Sequence, residues 1–169
     1  QTSLVAGGLP ALPPAGLSAN LLQNAGFETL TAGVPSPWSS GAGWSPDRLV
    51  MRSGAVSYRR TTGAGTSSQT LQLTAGTYLL SAWIKTENLG SGSTSGVRLQ
   101  LDFRPGGINA WAPSQVISGT SDWTLYQVGP VVVDTDRTAA VKLENYNGAS
   151  GTAWFDDVAL VRMIPQPVD

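Results

Sequence analysis

Gly151-Thr152-Ala153-Trp154-Phe155-Asp156-Asp157-Val158-Ala159-Leu160 carries two carboxylates inside a run that otherwise reads as a buried strand. Period-two alternation puts Trp154, Val158 and Leu160 on one face and predicts that Asp156 points the same way. A carboxylate buried without a partner costs several kcal/mol, so a neutralising group is required. Near the other end, Asn20-Leu21-Leu22-Gln23-Asn24-Ala25-Gly26-Phe27-Glu28 repeats the pattern. There Leu22, Phe27 and Leu30 supply apolar weight, and Gly26 permits an unusual backbone angle just before Glu28. A hard cation held by oxygen ligands would satisfy both segments and bring the two ends of the domain together. The plainer alternative is that Glu28 caps a turn while Asp156 or Asp157 pairs with an arginine such as Arg162.

Between these ends, apolar runs rich in Val, Leu, Tyr and Trp alternate with Gly/Ser/Pro clusters. They fall at 55–60, 70–73, 77–86, 97–103, 114–117, 124–133, 139–146 and 153–161. No stretch holds a 3.6-residue period, which predicts an all-β antiparallel sandwich. Asn88–Gly96 and Arg104–Ala112 read as loops. Residues 1–16, a Pro/Gly/Ala/Leu mixture without period, read as a linker or N-terminal arm. The sandwich occupies 17–163, and 164–169 reads as an exit linker.

Composition narrows the partners. The 169 residues include 20 Gly and 11 Pro, with 41% hydrophobic content, 12% charge and a net charge of −1. A low charge and a pI near 5.3 give no drive toward a phosphate backbone, so no nucleic acid is expected. No run approaches the roughly 20 apolar residues of a membrane span. Histidine and cysteine are absent, which removes Ser-His-Asp, Cys-His and histidine-metal chemistry. Glycoside hydrolysis by two carboxylates is formally open. No isolated second acidic pair stands out, however, and the chain is read as a non-enzyme.

Four short motifs in order carry a resemblance. The two end segments resemble the opening N-L-x-x-N-x-G-F-E and closing F-D-D-V-x-L of carbohydrate-binding modules of the galactose-binding-like, jelly-roll type. Gly76-Thr77-Tyr78-Leu79-Leu80-Ser81-Ala82-Trp83-Ile84-Lys85 is similar to that family's G-x-Y-x-L-S-x-W strand, and Ser121-Asp122-Trp123-Thr124 to its D-W-T lead-in. Similar modules accompany bacterial surface proteins with RHS-type repeats. The resemblance implies a jelly roll, a polysaccharide or oligosaccharide partner and a secreted or cell-surface setting. It also implies a structural calcium held by Glu28, a closing aspartate (Asp156 or Asp157) and carbonyls near Gly26 and around 52–54. Asp156 is favoured by its face. Arg52 departs from the family's acidic third segment and would repel a cation unless it turned away.

The residues of two strands add a candidate surface. Alternation sends Val97, Leu99, Leu101 and Phe103 inward and Arg98, Gln100 and Asp102 outward. In the later strand it sends Val141 and Leu143 inward and Lys142, Glu144 and Tyr146 outward. Trp83 lies on the face opposite Tyr78, Leu80, Ala82 and Ile84. If the three strands share a sheet, Trp83 stands among the polar group. An aromatic ring with amides, carboxylates and guanidinium suits a pyranose, which has one apolar face and hydroxyls that donate and accept. The competing reading is a solvated sheet face laced by cross-strand ion pairs. Trp38, Trp44 and Trp111 fall in Gly/Ser/Pro loops and could plug the sandwich edge or stack on sugar. Trp123 and Trp154 read as core.

The sequence therefore reads as a non-catalytic carbohydrate-binding module, a monomer, attaching a larger secreted bacterial protein to a polysaccharide. A structural or adhesive β-sandwich that contacts neighbouring domains of a larger chain is the second reading.

Overall fold

The computed structural model describes residues 16–39 and 41–165; the expected N-terminal arm and most of the exit segment lie outside them. Among the described residues nine strands are formed. They are β1 (Trp44–Asp47), β2 (Ser57–Arg60), β3 (Ser67–Leu73), β4 (Gly76–Leu89), β5 (Gly96–Asp102), β6 (Trp111–Pro113), β7 (Gly119–Val133), β8 (Arg137–Tyr146) and β9 (Thr152–Met163). Two antiparallel sheets result, one ordered β1-β2-β9-β4-β7 and the other β3-β8-β5-β6. This is an all-β antiparallel sandwich. β1 and β6 replace stretches that read as loop, and Ser114–Ile117 contributes only a bridge from Ile117 to Val97.

The inward alternation holds in the central strands. Tyr78, Leu80, Ala82 and Ile84 of β4 face Val97, Leu99 and Leu101 of β5 and Val141 and Leu143 of β8 across the core, all at most 1% exposed. Trp38 and Trp44 are buried as well, and their rings pack on Phe27 at 5.4 Å and on Tyr58 at 4.8 Å. An indole can enter a core only if its N–H is met. Trp38 donates to the Asn24 carbonyl and Trp44 to that of Gly65. The edge-plug alternative is therefore the one realised at both positions, and neither ring is available to a ligand.

β9 departs from strict alternation. Trp83 pairs with Asp156 whereas Ser81 pairs with Ala159, so β9 spends one residue more than β4 over this interval. This is a β-bulge, with Asp157 at φ 48°. The bulge changes which residues share a face. Ala153 and Phe155 point inward before it and Val158 and Leu160 after it, all at most 1% exposed. Trp154 and Asp156 therefore point away from the core, contrary to the face predicted by uninterrupted alternation. Trp154 is nevertheless covered, its indole N–H donating to Asp47 Oδ2 at 2.9 Å. Trp123 is only partly buried and lies outside the core cluster.

The two ends of the described region meet on one side of β9. Ser18 N–H donates to the Arg162 carbonyl, Leu21 N–H to that of Leu160, and Ile164 N–H to that of Gly16. Among the described residues no helix is long and apolar enough to cross a membrane.

Candidate functional site

The outer face of the four-stranded sheet gathers most of the predicted binding residues. Register sets Arg98 opposite Glu144, Gln100 opposite Lys142, and Asp102 opposite Trp111. Trp111 thus belongs to a strand, and its ring stands at one end of a row that Tyr146 closes at the other. Between them every charge has a partner. Arg98 donates from Nε to Glu144 Oε1 at 2.5 Å and from Nη2 to Oε2 at 3.4 Å. Gln100 Nε2 donates to the same Oε1 at 3.0 Å. Lys142 Nζ lies 2.7 Å from Asp102 Oδ2.

Arg104 completes the row and was not singled out from the sequence. It follows β5 in a short 3-10 turn, Arg104–Gly106, which folds its side chain back over the strand it has just left. Its Nε donates to Asp102 Oδ1 at 2.8 Å, and its Nη2 to Asp102 Oδ2 at 3.2 Å and Gln100 Oε1 at 3.1 Å. Spacing offered one signal: Arg104 lies two residues after Asp102 and four after Gln100, next to Pro105, a turn former. The guanidinium of Arg104 sits 4.3 Å from the centre of the Trp111 ring, and that of Arg98 4.3 Å from the centre of Tyr146.

Burial opposes ionisation of Asp102, but hydrogen bonds from Arg104 and Lys142 outweigh it and bring its pKa down to about 2. Gln100 and Asp102 are each 1% exposed although they point outward, because the flanking cations lie over them. They belong to the face as buried supports, not as the free surface groups that alternation alone suggested.

Trp83 is not part of this face. β4 lies in the five-stranded sheet, so Trp83 projects from the opposite side of the sandwich, away from Gln100 and Glu144. Period-two patterning states which face a side chain takes but not which sheet its strand joins. Trp83 instead carries Arg52, whose guanidinium lies 3.8 Å from the ring centre. The same arginine donates to Asp157 Oδ2 at 3.2 Å.

Arg52 belongs to a loop that closes over the two end segments. Glu28 accepts N–H bonds from Ala55 at 2.9 Å and Val56 at 3.3 Å. Asp156 accepts from the backbone of Arg52 at 2.9 Å and Ser53 at 3.2 Å, and Ser53 Oγ donates to Asp157. Gly54, at φ 67°, is required here. A Cβ at that position would lie 2.3 Å from Glu28 Oε2. Gly26 lies beside the same carboxylates, with Asp157 Oδ1 3.6 Å from where its Cβ would be. Asp156 is wholly buried, and this desolvation pushes its pKa up to about 6 against the opposing N–H bonds.

The oxygen donors named for calcium are thus brought together, but their lone pairs face peptide N–H groups and a guanidinium. Among the described residues no group of three or more acidic side chains is placed to hold a metal ion. As arranged, this set does not fit calcium, because Glu28 and Asp156 are engaged by backbone N–H groups and Asp157 by Ser53 and Arg52. The segments meet as the turn-cap alternative anticipated, with Arg52 in place of Arg162 as the arginine.

This sandwich, with its ends joined beside β9, invites comparison with known structures. The family-61 module TmCBM61, solved in complex with β-1,4-galactotriose, superposes with TM-score 0.56 at 23% identity over 86% of this chain and 99% of that one. The CBM22-1 xylan-binding domain of Paenibacillus barcinonensis Xyn10C gives 0.57 at 17% over 85% and 94%. A second family-22 xylan-binding domain gives 0.55 at 12% over 92% and 100%.

The fold is that of a carbohydrate-binding module.

Neither a protein-family model nor a curated protein matches the sequence. Within this module fold, the residues expected to bind divide into two sets. Arg98, Gln100, Asp102, Trp111, Lys142, Glu144 and Tyr146 share one surface, and Trp38, Trp44 and Trp83 lie elsewhere.

Proposed function

We propose that the chain is a non-catalytic carbohydrate-binding module whose four-stranded outer face takes a segment of polysaccharide, and that it attaches a larger secreted protein to that polymer. The observation that carries this reading is the row from Trp111 to Tyr146: two aromatic rings with charged and amide side chains fixed between them on one face of the sheet. A row of side chains already locked in place loses little further freedom when a ligand arrives, which favours a weak, multi-contact ligand such as a glycan. The neighbouring modules solved with galactotriose or described as xylan-binding support sugar as the ligand class.

The same geometry argues against turnover. A general acid needs a proton to give near neutral pH, whereas Asp102 is held ionised down to about pH 2. Glu144 accepts three hydrogen bonds from Arg98 and Gln100. No new reducing ends are expected when the protein is incubated with polysaccharide. Ends accumulating above a heat-killed control would contradict this.

Affinity electrophoresis through gels containing soluble polysaccharides tests the binding itself. Wild type should be retarded in at least one gel. Trp111→Ala should lose tenfold or more in affinity with an unchanged melting temperature, since that ring is 44% exposed and carries no core packing. Retention of full affinity by both Trp111→Ala and Glu144→Ala would place the site off this face. Failure to bind any polymer would favour the scaffold reading, in which the face meets a neighbouring protein domain.

A further inference from the structure

We infer that the glycan taken by the four-stranded face is acidic, with uronate carboxylates received by Arg104 and Lys142. This rests on the reading of that face as the sugar site and narrows it to a substrate class.

The acceptors and donors of this face are unequally used. Asp102 Oδ1 accepts from the backbone N–H and Nε of Arg104, and Oδ2 accepts from Arg104 Nη2 and Lys142 Nζ. Both of its oxygens are filled. Glu144 Oε1 likewise accepts from Arg98 and Gln100. The donors are not filled. Arg104 Nη1 and Arg98 Nη1 make no hydrogen bond among the described residues, and Lys142 directs only one of its three protons, at Asp102. The face therefore offers donors and few acceptors. A neutral sugar hydroxyl both donates and accepts, and only Glu144 Oε2 and the Tyr146 hydroxyl are left here to take its proton, whereas a carboxylate only accepts.

Exposure sorts the charges the same way. The Arg104 and Lys142 side chains are 44% and 28% exposed, and Asp102 beneath them is 2% exposed. Three cations stand against two acids on the face, in a chain whose net charge is −1. The cationic heads are also held close together, both lying within 3.2 Å of Asp102 Oδ2. The Arg104 guanidinium lies over the Trp111 ring, with its Nε and Nη2 turned to Asp102 and Gln100. Arg104 Nη1 is therefore the nitrogen left to donate to a carboxylate, together with Lys142 Nζ, which shares Asp102 Oδ2 with Arg104 Nη2.

Isothermal titration with wild-type protein tests this, using polygalacturonate, the same polymer after carboxyl reduction, neutral β-1,4-galactan and xylan, and dextran sulfate as a generic polyanion. Polygalacturonate should bind at least tenfold more tightly than its carboxyl-reduced form and than either neutral polymer. Lys142→Gln and Arg104→Gln should each remove most of that preference. The reduced polymer reads the carboxylate without altering the protein, so a poorly folded variant cannot mask the result. Equal binding of the reduced and native polymers overturns the inference while leaving sugar binding standing. Equal or tighter binding of dextran sulfate reduces the preference to ion exchange and also overturns it. Absence of binding to every polymer overturns both this inference and the functional reading beneath it.

Discussion

At Asp102, desolvation alone would favour the neutral acid, yet Arg104 and Lys142 hold the carboxylate at a pKa of about 2 against an ordinary value of 3.8. The sign follows from linkage: a group whose pKa is depressed in the folded state contributes stability above its unfolded value and loses it as pH falls through the folded one. The window is therefore about pH 4 down to 2, and the contribution is on the order of 2 kcal/mol. Wild type should lose melting temperature across that window more steeply than Asp102→Asn, which cannot ionise. Parallel pH profiles for the two proteins would show that Asp102 is not held by these cations. Gln100, buried between Arg104 and Glu144, should be sensitive for a different reason. Its removal leaves donors and acceptors unmet beneath the face, so Gln100→Ala should cost about 1–2 kcal/mol in a denaturant melt. A value near zero would indicate that water replaces the amide.

At the scale of elements, the central strands could be read directly. β5 and β8 alternate without interruption, so the residues on their two faces were assigned correctly from period two alone. Three things escaped that reading for physical reasons. β1 (Trp-Ser-Pro-Asp) and β6 (Trp-Ala-Pro) are three- or four-residue edge strands containing proline, and so give too short a pattern to separate from a turn. The bulge in β9 inserts one residue and reverses the face of Trp154 and Asp156, a change invisible to strict alternation. Strand partnership is set by long-range topology, which is why Trp83 fell on the wrong sheet. The clasp formed by that bulge makes its own prediction. Glu28→Ala leaves the Ala55 and Val56 N–H groups without their acceptor, and Asp156→Ala does the same to Arg52 and Ser53. Each should lower the melting temperature by an amount corresponding to about 1–3 kcal/mol. With these carboxylates engaged by N–H groups, Ser53 and Arg52, the wild-type melt should not move on adding calcium or a chelator. A calcium-dependent rise would mean that the loop turns its N–H groups aside to admit the ion, since a ligand that binds only the folded state must raise the melting temperature.

For the whole molecule, the two sheets separate stability from recognition. The clasp lies on the outer side of the five-stranded sheet and the charged row on the outer side of the four-stranded one, with the apolar core between them. Two sheets packed face to face stand about 10 Å apart, and sites at such a separation with no shared partner act nearly additively. Asp156→Ala should therefore melt earlier yet bind polysaccharide with wild-type affinity at temperatures where it remains folded. Trp111→Ala should show the converse, and the double variant should reproduce the sum of the two effects to within about 0.5 kcal/mol. A loss of affinity in Asp156→Ala below its melting transition would instead reveal coupling through the core. The route would be β9, where the bulge sits, to β4 beside it in the same sheet, and from β4 across the core to β5. In that case the clasp would set the geometry of the binding face as well as holding the Glu28 and Asp156 segments together.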